Sequence, residues 1–132
     1  MLLDVGVREM TGEEFIKRIR VAVYEPSIDG TITLLKEPPG RRPSPQLSAE
    51  SKWFNGLTAS DKEHLRAAIE LAARGAIFGM LAVLDGVTPI RESGEEAGSF
   101  ELRYTTSTTS DLLNDPAREF LHDLFVAEIP PS

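Results

Sequence analysis

Apolar residues in the first quarter of the chain recur at helical spacing. Phe15, Ile16, Ile19, Ala22 and Val23 share one helical face, with Lys17, Arg18 and Arg20 opposite. Thr11-Gly12-Glu13-Glu14 precedes them as a capping box, in which hydroxyl and carboxylate close each other's backbone amides. Pro26 is expected to stop this helix near Tyr24, because proline has no amide hydrogen and crowds the preceding turn. Ile28 to Leu35 reads two ways. Thr31, Ile32 and Thr33 favour a strand, whereas Asp29 can cap a short helix; the helix is preferred.

EPPGRRPSP (37–45) holds four of the nine prolines and predicts an ordered loop. Only about forty residues precede it, too few for a separate core. Ser44-Pro45 then opens a second helix to about Asn55, with Leu47, Trp53 and Phe54 inward. Asn55-Gly56 ends it, and Thr58 to Asp61 starts the third. Leu65, Ile69, Ala72, Ala76, Met80 and Val83 trace its expected core stripe, with Glu63–Arg66 and Glu70–Arg74 as ion pairs on the wet side. The run GAIFGMLAVL (75–84) is uncharged, and its ten residues fall short of the ~20 that span a bilayer. The pattern therefore predicts a helix enclosed by protein, with Gly75 at a close contact beneath a sheet.

After Asp85-Gly86 the period changes to two. Phe100, Leu102 and Tyr104 alternate with Glu101, Arg103 and Thr105 as a half-buried strand, and Val87 to Arg91 predicts a second, at an edge because of Pro89. The polar run Thr105 to Ser110 predicts a hairpin turn into a short strand at Leu112 and Leu113. Asn114-Asp115-Pro116 is expected to cap a last helix carrying Phe120, Leu121, Leu124 and Phe125. The sum is an α+β fold: about four helices around a buried central helix (about 59–85), a two- or three-stranded antiparallel sheet (about 87–113) and a C-terminal helix. One globular domain over 1–132 is expected, with 128–132 frayed.

Charge adds direction. The 132 residues carry a net −7, and the imbalance is one-sided: ten basic and ten acidic residues up to Arg66, four basic and eleven acidic after it. Such a surface repels a phosphate backbone and attracts a basic partner. Cysteine is absent, which removes disulfides, thiolate metal sites and a cysteine nucleophile. Asp4, Arg8 and Glu9 interrupt the N-terminus too early for a signal peptide, so a soluble cytoplasmic protein is expected, without membrane or nucleic-acid association. His64 and His122 lack zinc-site spacing, and no GxxxxGK[ST], GxGxxG or GxSxG motif occurs, so neither metal nor cofactor is expected.

Two constellations remain. Asp111, Asn114, Asp115, Glu119, His122 and Asp123 cluster near the last helix, where a carboxylate-held histidine can act as general base or metal ligand; the alternative is that Asn114 or Asp115 caps the helix and His122 is a packed or surface residue. Arg41 and Arg42 near Trp53 and Phe54 can bind a carboxylate, a phosphate or a partner chain; the alternative is core aromatics with solvated arginines. EPPGRRPSP, SKWFNGL, FGMLAVLDG, FELRY and LNDPAREFLHDLF together resemble a family of small uncharacterised bacterial proteins over residues 35 to 126. That resemblance implies a stand-alone bacterial domain and no mechanism.

The preferred functional expectation is a non-enzymatic acidic binding module of the bacterial or phage inhibitor or immunity type. It docks a basic partner through Glu92, Glu95, Glu96, Glu101 and Asp111. The alternative is a small-molecule binder or enzyme around Asp85, Arg91, Asp115 and His122, with Arg103 and Asn114 in the same site. A homodimer through Gly75 and Gly79 or the edge strand is a third reading.

Overall fold

The computed structural model describes residues 9–131. The N-terminal reading of Asp4 and Arg8 and the last residue of the expected frayed tail fall outside them. The described residues group into two compact units, 21–76 and 9–20 with 77–131. The class is α+β, with a small two-stranded antiparallel sheet and a C-terminal helix.

Helix α1 spans Gly12–Ile19, and Thr11 Oγ1 accepts from the Glu14 amide at 3.1 Å as the capping sequence requires. Glu14's carboxylate turns to Arg18 Nε at 3.2 Å. Pro26 does not stop the chain's helical course. Arg20–Tyr24 form a π-helical turn and α2 runs Glu25–Lys36 with the proline in its first turn. The wider turn shifts the hydrogen-bond register, so the missing proline amide falls where a helix start leaves amides unpaired. The residues that read as strand or short helix, Ile28 to Leu35, are helical.

In the 21–76 unit, α2 packs on α3, Pro45–Asn55. Ser44 Oγ caps α3 through the Leu47 amide at 3.1 Å, and Asn55 Nδ2 donates to the Lys36 carbonyl at 3.1 Å, closing the end of α2. Phe54 is buried beneath Lys62, whose Nζ sits 5.2 Å from the ring centroid. Trp53, expected inward, is 53% exposed: adjacent helical residues point about 100° apart, and of the two only Phe54 is turned into the core. Arg41 and Arg42 are exposed.

Helix α4, Ala59–Leu84, is 26 residues long, with Thr58 Oγ1 accepting from the Asp61 amide at 3.1 Å. Its enclosure by protein is not found. Among its residues only Leu81 and Ala82 are buried, Leu71 is 65% and Met80 62% exposed, and a Cβ on Gly75 would meet nothing within 4 Å. Leu65, Ile69 and Val83 of the expected stripe are half-buried, but Ala72, Ala76 and Met80 are exposed, and between Ile69 and Val83 the face nearest protein carries Ala73, Ile77 and Leu81 instead. In a run where almost every residue is apolar, periodicity does not choose a face. By length and composition α4 can cross a membrane, with a mean hydropathy of 1.7 over its apolar window. The ion pairs also differ from expectation. Arg66 joins Asp29 at 2.7 Å and Glu70 at 3.4 Å, and the Asp29 hydrogen bond raises the guanidinium pKa further. Arg74 Nε is buried with no partner among the described residues.

In the other unit, α1 packs on α5, Leu121–Glu128, around Ile16, Leu121 and Phe125. Strand β1, Arg103–Thr105, pairs antiparallel with β2, Ser110–Leu112, in the register Tyr104↔Asp111. Their polar turn closes through the Thr106 amide to the Thr109 carbonyl at 2.8 Å. Residues 87–91 form no strand, and Phe100 and Leu102 precede β1. The tail is held as far as Ile129, which is 8% exposed, and Glu128 meets Arg20 at 3.4 Å.

Candidate functional site

The carboxylate with the most partners among the described residues is that of Asp85, the residue just after α4. Its side chain is 1% exposed. Oδ1 accepts from the Leu121 amide at 3.1 Å, and Oδ2 accepts from the His122 amide at 2.9 Å. Oδ2 also lies 2.6 Å from His122 Nδ1. A carboxylate 36 residues upstream thus supplies the N-terminal cap of α5, where the cap residue Phe120 has no side-chain oxygen to offer. The expected cap at Asn114-Asp115 is therefore corrected: α5 begins at Leu121, and Arg118 and Glu119 lie outside the helix instead of sharing a helical face with His122.

His122 is held on several sides. Phe120 stacks on its ring with centroids 5.3 Å apart, Phe78 meets it edge-on at 5.4 Å, and Nε2 lies 3.5 Å from Asp123 Oδ1. The Asp85 carboxylate at Nδ1 fixes the orientation of the ring, the arrangement from which a histidine can act as a general base. The sequence pattern singles out Asp85 and His122 but not the two aromatic walls.

The rest of the alternative site is not brought to this pair. Asn114 is a structural clamp: Nδ2 donates to the Leu84 carbonyl at 2.7 Å and the Phe100 carbonyl at 2.8 Å, while Oδ1 accepts from the Leu102 amide at 2.8 Å. Asp115 Oδ1 accepts from the Ala117 amide at 2.9 Å, a local turn. Arg103 pairs with Glu101 at 3.4 Å. Arg91 Nη1 donates to the Glu95 carbonyl at 3.2 Å. Among the described residues, no group of three or more His, Asp or Glu is placed to hold a metal ion.

The five acidic candidates also divide. Asp111 Oδ2 accepts from the Met10 amide at 2.9 Å and is part of the fold. Glu101 is paired with Arg103. Glu92, Glu95 and Glu96 are exposed and make no ion pair among the described residues. Glu95 and Glu96 line a groove of about 500 Å³ whose walls include Val83, Pro89, Ile90 and Phe100, with Arg91 at one side. Ile90 is 62% and Phe100 49% exposed. In the sequence these walls read as parts of separate elements, Val83 in the third helix, Pro89 and Ile90 in an edge strand and Phe100 in a second strand, and nothing joined them.

Comparison of the chain with protein-family models, with curated proteins and with solved structures finds no match.

Proposed function

We propose that this protein is a non-enzymatic binding module of the bacterial or phage inhibitor or immunity type, docking a basic protein partner through its acidic C-terminal half. The observation that carries this reading is the exposed, unpaired state of Glu92, Glu95 and Glu96 among the described residues, on a segment without regular structure. Carboxylates that neutralise no cation of their own chain keep their field available to a partner and steer its approach. The test is capture from bacterial lysate, followed by rebinding of the captured protein to wild type and to a Glu92→Lys/Glu95→Lys/Glu96→Lys variant. Binding should fall at least ~10-fold in the variant and weaken with salt. A partner held equally by the variant and at high salt would overturn the reading.

A second reading rests on the Asp85–His122 pair: a small-molecule binder or enzyme with His122 as general base. It calls for a metabolite that raises the melting temperature of the wild type and not of His122→Gln. Ligand at a hundred times its Kd adds about 2.7 kcal/mol, a readily measured shift.

A further inference from the structure

We propose that the groove over residues 83–100 receives an extended segment of the partner in which an apolar side chain stands beside Lys or Arg. This rests on the protein-binding reading above and names the occupant of the site. Three observations converge within a short stretch of chain.

The first is shape and polarity. Val83, Pro89, Ile90 and Phe100 form apolar walls around about 500 Å³, a size that accepts side chains of a bound segment. Ile90 and Phe100 are substantially exposed, and a partner side chain seated between them would withdraw that surface from water. A purely cationic surface would leave it wet.

The second is charge. Glu95 and Glu96 line the groove and Glu92 follows its lining residue Arg91 in the chain, against one cation, Arg91, whose Nη1 is already committed to the Glu95 carbonyl. The excess is negative, so the complementary group is an ammonium or guanidinium.

The third is backbone. Ala97, Gly98 and Ser99 line the same groove, and their amides and carbonyls make no hydrogen bond among the described residues. Main-chain groups left open in this way are what an incoming extended chain pairs with when it adds to a sheet edge. The stretch leads into β1, which has one strand partner in its two-stranded sheet. A small cation or a metabolite would satisfy the carboxylates and leave these groups open; an extended peptide satisfies both.

The experiment is fluorescence anisotropy of the full chain with four fluorescein-labelled octapeptides: alternating Leu and Lys, alternating Ser and Lys, alternating Leu and Glu, and the Leu–Lys peptide methylated on its backbone nitrogens. The Leu–Lys peptide should bind best. Exchange of Leu for Ser, exchange of Lys for Glu, and backbone methylation should each weaken binding roughly tenfold or more. An Ile90→Ser/Phe100→Ser variant should lose about tenfold for Leu–Lys and little for Ser–Lys, with a wild-type-like melting curve showing that it still folds. Glu95→Gln/Glu96→Gln, both on an exposed segment, should weaken every lysine peptide. Equal binding of the Leu–Lys and Ser–Lys peptides overturns the groove proposal while leaving charge-only docking standing. Equal binding of Leu–Lys and Leu–Glu overturns the charge argument and the docking reading with it. No binding of any peptide overturns the groove proposal, and the lysine-variant capture experiment then decides the docking reading separately.

Discussion

Asp85 and His122 are joined at 2.6 Å, and the carboxylate that receives the imidazole also receives the amides of Leu121 and His122. One side chain, on the residue that follows α4, therefore caps α5 and holds the ring of the histidine in place. Asp85→Ala leaves three donors without their acceptor and should cost about 2–4 kcal/mol, measured by denaturant unfolding. Asp85→Asn retains one oxygen and should cost less. In a double-mutant cycle with His122→Gln, an interaction energy of roughly 0.5–3 kcal/mol is expected. Strict additivity would mean that the pair is not coupled.

Asn114 offers a sharper sign. Its amide group faces two carbonyls and its oxygen faces one amide, so only this orientation satisfies all three. Asn114→Asp places an oxygen against two carbonyls in a residue 9% exposed. At neutral pH it should destabilise more than Asn114→Ala, by about 3 kcal/mol or more in total. An aspartate variant as stable as the alanine variant would show that the clamp does not act as described.

Two glycines should respond in opposite directions. Gly75 has open space where a Cβ would stand, so Gly75→Ala should raise stability by roughly 0.5–1 kcal/mol through helix propensity. Gly12 lies against α5 and Leu113, the residue after β2: an added Cβ would meet the Leu113 carbonyl at 3.2 Å and the Leu121 and Leu124 methyls at 3.3 Å. Gly12→Val should lose roughly 1–3 kcal/mol. Thermal melts of the two variants test both, and a shift in the same direction would contradict this account.

Trp53 and Phe54 are neighbours with different fates. The chain has one tryptophan, so its fluorescence reports one site. Iodide and acrylamide should both quench the folded protein readily, because Trp53 is 53% exposed. Phe54→Ala should cost roughly 3–5 kcal/mol, and Trp53→Ala much less. A folded protein resistant to iodide would place the indole in the core.

Residue order alone carried the local signals. Thr11, Ser44 and Thr58 cap the helices they precede, Asn55-Gly56 ends α3, and the Thr/Ser run from 105 to 110 makes the hairpin, because each bond closes within a few residues. The α+β class followed from the same change of period after Asp85. Tertiary structure decided the rest. Pro26 announces a helix stop, but a π-helical turn re-registers the backbone and the helix continues. The apolar run 75–84 names no face, since nearly every position is hydrophobic, and only packing selected the one carrying Ile77 and Leu81. Asp85 and His122 were visible as candidates, yet a bond across 37 positions has no local signature. The groove is hidden for the same reason: its walls Val83, Ile90 and Phe100 lie apart in the chain, and the tie from Asn114 to the carbonyls of Leu84 and Phe100 has no local signature either.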